Sequence, residues 1–297
     1  MSMINRRNVL VTGSLAAAGL AAAVSAGQAN ANTLNPPEFE TSAANPAGRF
    51  ADQVVLITGA TSGIGETTAK AFASEGAKVV FNGRRAQLGQ QVESQIRDAG
   101  GDATYIQSDV RDPQQVEQLV QATLEQHGRL DIAFNNAGIF MTPVEIQDMD
   151  LDNYRAMMAT NLDGVFYAMR YELPVMIEQG SGIIINMASV AGHRGFANTP
   201  HYNASKHGVI GLTKAAATAN AKHNIRINSI SPLAVDTPML RRSFEYQGLT
   251  YEQMAPNFVT PRIMTTDEMA RAVMFLASSE ATAINGMDLD VTDGQLA

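Results

Sequence analysis

Four consecutive apolar residues, Val54-Val55-Leu56-Ile57, run directly into Thr58-Gly59-Ala60-Thr61-Ser62-Gly63-Ile64-Gly65. A helical pattern with Ala69, Phe72 and Ala73 on one face follows. A short, unbroken apolar run suits a strand buried on both faces, as in a parallel sheet. Three glycines between strand and helix let the backbone turn tightly and come close to a pyrophosphate. The helix start adds free N–H groups and the positive end of its dipole. A glycine-rich loop alone says little; the strand before it and the helix after it point to dinucleotide binding.

The rest of the chain repeats the alternation. Apolar strand-like runs recur at Lys78–Asn82, Ala103–Ile106, Leu130–Phe134, Gly182–Met187, Ile225–Ile230 and Met287–Val291. Helical patterns fall between them, at 86–99, after Pro113, at 150–179, at 202–223 and at 267–278. This order predicts one α/β domain over 53–297, a Rossmann-type doubly wound sheet of seven parallel strands. At 297 residues, 45% of them hydrophobic, the chain can bury one large core. The net charge of -8 argues against non-specific nucleic-acid binding. No cysteine is present, which excludes disulfides and Cys-ligated metal and leaves the redox compartment open.

Residues 1–31 read as a separate segment. Arg6-Arg7 precede an apolar, Ala-rich run from Val9 to Val24, and Ala29-Asn30-Ala31 offers an A-x-A cleavage site. This three-part pattern predicts a secretory signal of twin-arginine type, although Asn5 stands before the arginine pair. The expected location is periplasmic, with no stable membrane span after cleavage, or cytoplasmic if the segment does not function. Residues 32–52, with Pro36, Pro37 and Pro46, read as a linker or an arm lying over the domain.

Two clusters carry chemistry. After the second strand, where an enzyme for NAD places a carboxylate on the ribose 2′-OH, the chain reads Gly83-Arg84-Arg85. Two guanidiniums there suit a 2′-phosphate, so NADP(H) is expected, with NAD(H) possible; the alternative is a pair of solvated charges opening the next helix. Further on, Tyr202 and Lys206 stand one helical turn apart. An ammonium beside a phenol lowers the phenol's pKa from about 10, which suits a proton shuttle near neutral pH. Ser189 ends the apolar strand and so sits at the carboxyl edge of the sheet, where open α/β sheets bind ligands. It serves as a cap or as a substrate contact. His193, Arg194 and His201 read as loop residues shaping the substrate mouth, and no carboxylate is spaced to make them a metal site.

The spacing T-G-x-x-x-G-x-G at Gly59, Gly63 and Gly65, with Tyr-x-x-x-Lys, resembles the short-chain dehydrogenase/reductase family of non-extended type. The resemblance covers about residues 52–297. It implies a catalytic set of Asn161, Ser189, Tyr202 and Lys206, with Tyr202 and Lys206 also contacting the cofactor, Lys206 at the nicotinamide ribose, and Asn161 supporting a water relay. It implies cofactor contacts from Gly59, Thr61, Ser62, Gly63, Ile64, Gly65, Arg84 and Arg85. It adds Asp109 and Val110 against the adenine; Asp109 also reads as a cap on the following helix. The N-N-A-G turn brings Asn135 as the cofactor contact, Asn136 as scaffolding, and Ala137 and Gly138 close to the ribose. Val235 and Thr237 are implied at the carboxamide, in a segment where Leu233 replaces the family's usual glycine. A glycine with positive φ there would cost leucine about 1–2 kcal/mol.

The resemblance further implies hydride transfer between a nicotinamide and a small-molecule alcohol or ketone, and a homotetramer paired through the helices at 150–179 and 202–223. Residues 239–265 read as an irregular, apolar substrate loop, either a lid or a contact with a neighbouring subunit. A non-catalytic nucleotide-binding scaffold or sensor is the alternative function. A dehydratase or epimerase is a further one, against which the short chain after Lys206 argues.

Overall fold

The computed structural model describes residues 48–297. The signal expected at 1–31 and the expected linker before residue 48 lie outside the described residues. The last few residues of that stretch are packed onto the domain. Phe50 is buried edge-on against Phe72, with ring centroids 4.8 Å apart. Its N–H donates to the Glu75 carbonyl at 3.0 Å, and Arg49 pairs with the Glu75 carboxylate at 3.1 Å. The compact body therefore begins before residue 53.

The chain runs β1 (Val54–Ile57), α1 (Gly63–Ser74), β2 (Lys78–Gly83), α2 (Ala86–Asp98), β3 (Asp102–Gln107), α3 (Pro113–His127) and β4 (Ile132–Asn135). It continues with α4 (Leu151–Met158), α5 (Gly164–Gln179), β5 (Gly182–Met187), α6 (Pro200–Asn220), β6 (Ile225–Pro232), α7 (Pro238–Tyr246), α8 (Tyr251–Met254), α9 (Thr266–Ala277) and β7 (Asp288–Val291). The strands form one seven-stranded parallel sheet in the order β3-β2-β1-β4-β5-β6-β7. Strand order reverses between β1 and β4, and the crevice at such a switch point is where this architecture takes its ligand.

Alternation along β1 divides the core in two. Val55 and Ile57 join Phe72, Phe81, Val92, Met269 and Val273 on one face, under α1, α2 and α9. Leu56 joins Leu119, Val165, Met176, Ile184 and Val209 on the other, under α3, α5 and α6. Each such side chain contributes about 1.5–3 kcal/mol on burial, so both faces are held apolar and the sheet is fixed between them.

Three elements differ from expectation. The stretch 150–179 is continuous but changes winding, since α4 and α5 are joined by a π-helical turn, Ala159–Asp163, that contains Asn161. Residues 239–265 are partly helical rather than irregular. Thr237 caps α7, its hydroxyl accepting from the Leu240 N–H at 3.2 Å, with Pro238 as first helical residue. The cap of α3 is Asp112, which accepts from Gln114 and Gln115, and not Asp109.

Candidate active site

The turn after β1 is built by its neighbours. Thr58 Oγ1 accepts the backbone N–H groups of Asn136 and Ala137 at 3.0 and 3.1 Å. The Asn136 amide donates back to the carbonyls of Thr58 and Gly59. Asn82, at the end of β2, accepts from Gly59 N–H through its side chain and from Ala60 N–H through its carbonyl. Gly59 sits at φ +70°, and a Cβ on it would come within 2.7 Å of the Ala137 backbone. Gly65 lies behind the turn, where a Cβ would meet the Asn136 amide at 2.5 Å. No side chain caps the start of α1 at Ser62, so its first N–H groups are left for a ligand.

A cleft of about 770 Å³ opens at this edge of the sheet. Gly59, Thr61, Ser62, Gly63 and Ile64 line it from the turn, Arg84 and Arg85 from the end of β2, and Asp109 and Val110 from the end of β3. Ala137 and Gly138 line it after β4, Ser189 after β5, Tyr202 and Lys206 on α6, and Val235 and Thr237 after β6. Arg85 donates to the hydroxyls of Thr61 and Ser62 at 2.9 and 2.7 Å and so lies against the glycine-rich turn. Asp109 is neutralised by Arg111 at 2.5 Å and Arg84 at 3.9 Å. Burial would raise its carboxyl, but the hydrogen bonds from Arg111 outweigh that and hold it below the usual range. The cleft is thus lined by Arg84, Arg85, Lys206 and Arg242 against Asp109 alone, within a chain of net charge -8. That concentration of cations, with the uncapped helix start, fits an anionic dinucleotide.

Three of the four expected catalytic side chains meet on one wall. Tyr202 stands in the first turn of α6, its ring edge-on to Phe140 at 5.2 Å. The Lys206 ammonium lies 5.7 Å from the centre of the Tyr202 ring and donates to the Met187 carbonyl at 2.7 Å. Ser189 is both cap and cleft residue, because its hydroxyl accepts the Ala191 N–H at 3.2 Å while lining the cavity beside Tyr202. Burial pushes the lysine down to about 8 and the Tyr202 phenol up from its ordinary value, with the Ser189 hydroxyl on the phenol working against the rise. The phenol is therefore not lowered by its lysine as the sequence suggested. Desolvation disfavours both charged forms and dominates here.

Asn161 stands behind the wall rather than in it. Its Oδ1 accepts the Ile139 N–H at 2.8 Å and its Nδ2 donates to the Ile139 carbonyl at 3.0 Å, pinning the chain that follows the N-N-A-G turn. Gly138 lies beside both groups: a Cβ there would make only ordinary contacts, 3.4 Å from Asn161 Oδ1 and 3.9 Å from Lys206 Nζ. Asn135 is buried beneath the cleft, its amide directed to Glu172 and Asn186, while Asn136 lines the cavity. Asn135 is thus turned away from the cavity it was expected to line, because its side chain continues the alternation of β4 toward α5, while Asn136 holds the turn as expected and also lines the cavity. Leu233 has no positive φ, so the cost expected for replacing glycine does not arise.

None of the expected mouth residues lines this cleft, and His201 instead lines a smaller cavity with Met141, Asn153 and Tyr246. His193 bonds Asp288 at 2.6 Å, Arg194 stacks over Phe196 at 4.9 Å, and His201 is 1% exposed. Phe196, Ala197, Asn198 and Thr199 line the cleft in their place. Phe140, Thr160 and Arg242 also line it and were not marked by any motif. Phe140 stands two residues after the N-N-A-G turn, and Arg242 lies one helical turn past Pro238, so position after a sheet-edge turn was the signal available.

Residues 53–248 match the family model for short chain dehydrogenases. The chain is 37% identical over 246 residues to cyclohexanol dehydrogenase of Acinetobacter sp. (strain SE19), covering 83% of this chain and 95% of that protein. It is 37% identical over 264 residues to levodione reductase of Leifsonia aquatica, covering 86% of this chain and 99% of that protein. A crystal structure of levodione reductase superposes with a TM-score of 0.81 at 36% identity, over 83% of this chain and 98% of that one. With its parallel sheet, its cationic cleft and these likenesses, the chain belongs to the short-chain dehydrogenase/reductase family of NAD(P)-dependent oxidoreductases.

Proposed function

We propose that the protein is an NADP(H)-preferring enzyme that interconverts a cyclic secondary alcohol and its ketone. The observation that carries this reading is the meeting of Ser189, Tyr202 and Lys206 on one wall of a cleft whose other end is lined by Arg84 and Arg85. Bound there, the nicotinamide of the dinucleotide supplies or accepts the hydride. In the oxidising direction Tyr202, as its phenolate, takes the hydroxyl proton of the substrate; in the reducing direction the neutral phenol gives its proton to the carbonyl oxygen and is left as phenolate. The Ser189 hydroxyl orients that oxygen. The Lys206 ammonium, held by the Met187 carbonyl, favours the phenolate once proton transfer begins. Asn161 acts on the site by fixing Ile139, next to Phe140 and Gly138.

Two features support the cofactor and substrate choice. No carboxylate ends β2, and Arg85 already lies over the turn on Thr61 and Ser62. Phe140 lies edge-on to Tyr202, and Val190, Phe196, Leu233 and Leu240 add apolar surface to the same cleft; the cyclohexanol named for one relative is a ring of matching polarity. The test is a panel of cyclic and open-chain alcohols and ketones followed at the nicotinamide absorbance with NADP(H) and NAD(H). Turnover of cyclic substrates with NADP(H) supports the reading. Tight NADP binding with no turnover on the panel replaces it with the scaffold reading.

Two further parts of the proposal concern the protein's setting. Residues 1–31 direct export by the twin-arginine route, which carries folded proteins, so the enzyme leaves with its dinucleotide bound. Full-length protein found only in the cytoplasmic fraction overturns this. The protein assembles as a tetramer in which α4, α5 and α6 meet their copies. The exposure of Leu151, Tyr154, Phe166 and Ile177 on α4 and α5 supports this, and sedimentation of the purified enzyme as a monomer contradicts it.

A further inference from the structure

A polar network lies in the apolar layer between the sheet and α5 and α6. The Thr213 hydroxyl donates to the Val209 carbonyl at 2.8 Å, so toward Asn186 it has only acceptor capacity left, and Asn186 Nδ2 donates to it at 2.9 Å. That fixes which way the Asn186 amide faces. Its Oδ1 is turned to β4, where Asn135 Nδ2 donates to it at 3.0 Å. The same Asn135 nitrogen gives its second hydrogen to Glu172 Oε2 at 3.1 Å. The order of donors and acceptors is now determined for every member but two atoms. Asn135 Oδ1 and Glu172 Oε1 are both fully buried and both without a partner. Both are acceptors, and one proton between them would satisfy both.

We infer that Glu172 is held as the neutral carboxylic acid and closes an eight-membered acid–amide ring with Asn135, making Glu172 a positioning residue for the dinucleotide site. One edge of the ring is the Asn135 N–H on Oε2; the other is the carboxyl O–H on Asn135 Oδ1. A buried amide and a buried acid each satisfy two groups this way, whereas a carboxylate would leave one oxygen bare and a charge unpaired. Glu172 is 0% exposed, and burial, opposed by the Asn135 hydrogen bond, pushes its carboxyl up to about 7. Its partners in the network, Asn135 and through it Asn186 and Thr213, carry no titratable group, and among the described residues no charged side chain contributes to that shift. The ring acts through the backbone. Asn135 ends β4, and the next two residues, Asn136 and Ala137, hold Thr58 and Gly59 in the phosphate turn.

Infrared difference spectra of the full-length wild-type protein against Glu172→Gln test the protonation. The wild type is expected to show the carbonyl stretch of a hydrogen-bonded carboxylic acid at pH 5, absent in the variant and fading as pH rises through about 7. Glutamine keeps both edges of the ring, its own N–H replacing the acid O–H. Dinucleotide affinity by calorimetry is therefore expected to be unchanged in Glu172→Gln and about tenfold weaker in Glu172→Leu, which strips Asn135 of its partner. A carboxylate band at pH 5 with no acid band overturns the inference whether or not the leucine variant folds. Equal weakening by glutamine and leucine overturns the positioning role. The infrared result does not depend on which cofactor or substrate the enzyme uses, so it fails separately from the proposed function.

Discussion

Lys206 shows what a site residue costs the fold. Lys206 is 3% exposed, and burial holds its pKa at about 8 in the folded state, below the ordinary lysine value of 10.5. A base depressed in this way penalises the folded state fully below about pH 8, and the penalty is relieved as pH climbs from 8 to 10.5. Lys206→Met should therefore stabilise the protein near pH 7 by about 1–2 kcal/mol, after the loss of the Met187 hydrogen bond is subtracted, with the gain shrinking toward pH 10.5. Denaturant melts at several pH values check this, and a gain that grows with pH contradicts it. Arg84 and Arg85 answer a different question at the same scale. Replacing both by alanine should weaken NADP binding at least about tenfold and leave NAD binding within about twofold, since charge-assisted hydrogen bonds to a phosphate contribute about 1.5–3 kcal/mol. Fluorescence titration with both nucleotides reads the difference.

Among the elements, the sheet-edge turns were the most legible. A buried strand followed by glycines and a helix has few other uses, so the β1 turn and the alternation after it could be read directly from residue order. The direction of a side chain at a strand end could not. Asn135 and Asn136 are adjacent and identical in type, and only the alternation of β4 in the folded sheet sends one under the cleft and the other into it. The π turn at Ala159–Asp163 was equally hidden, because a 3.6-residue pattern is barely disturbed by one wider turn. Leu233 misled for a related reason: the family's glycine suggested a positive φ that this loop does not use. Close approach, by contrast, makes Gly59 irreplaceable. Gly59→Ala would drive a Cβ to 2.7 Å from the Ala137 backbone on a residue at φ +70°. Dinucleotide binding should fall below detection in calorimetry while circular dichroism still shows the folded α/β signal. Retained binding would mean that the turn can move aside.

At the scale of the whole molecule, the body does not start where the motif does. Phe50 is fully buried against Phe72 and closes the core on the α1 face, although it precedes β1 and lay in a stretch read as linker or arm. Phe50→Ala should cost about 3–5 kcal/mol in chemical denaturation, the usual range for emptying a buried phenylalanine site. A loss under about 1 kcal/mol would place Phe50 outside the cooperative unit. The central claim is that a cationic dinucleotide cleft and a proton-transferring tyrosine form one site at the switch point of the sheet. Tyr202→Phe removes a single oxygen from that site and leaves the Phe140 contact and the fold intact. Pre-steady-state absorbance at the nicotinamide band, with the wild type and Tyr202→Phe under saturating NADP and a cyclic alcohol, reads hydride transfer directly. NADP affinity should be unchanged and hydride transfer slowed by roughly 10²–10⁴-fold, the range for loss of a general acid–base group. Hydride transfer at the wild-type rate in Tyr202→Phe would contradict the central claim.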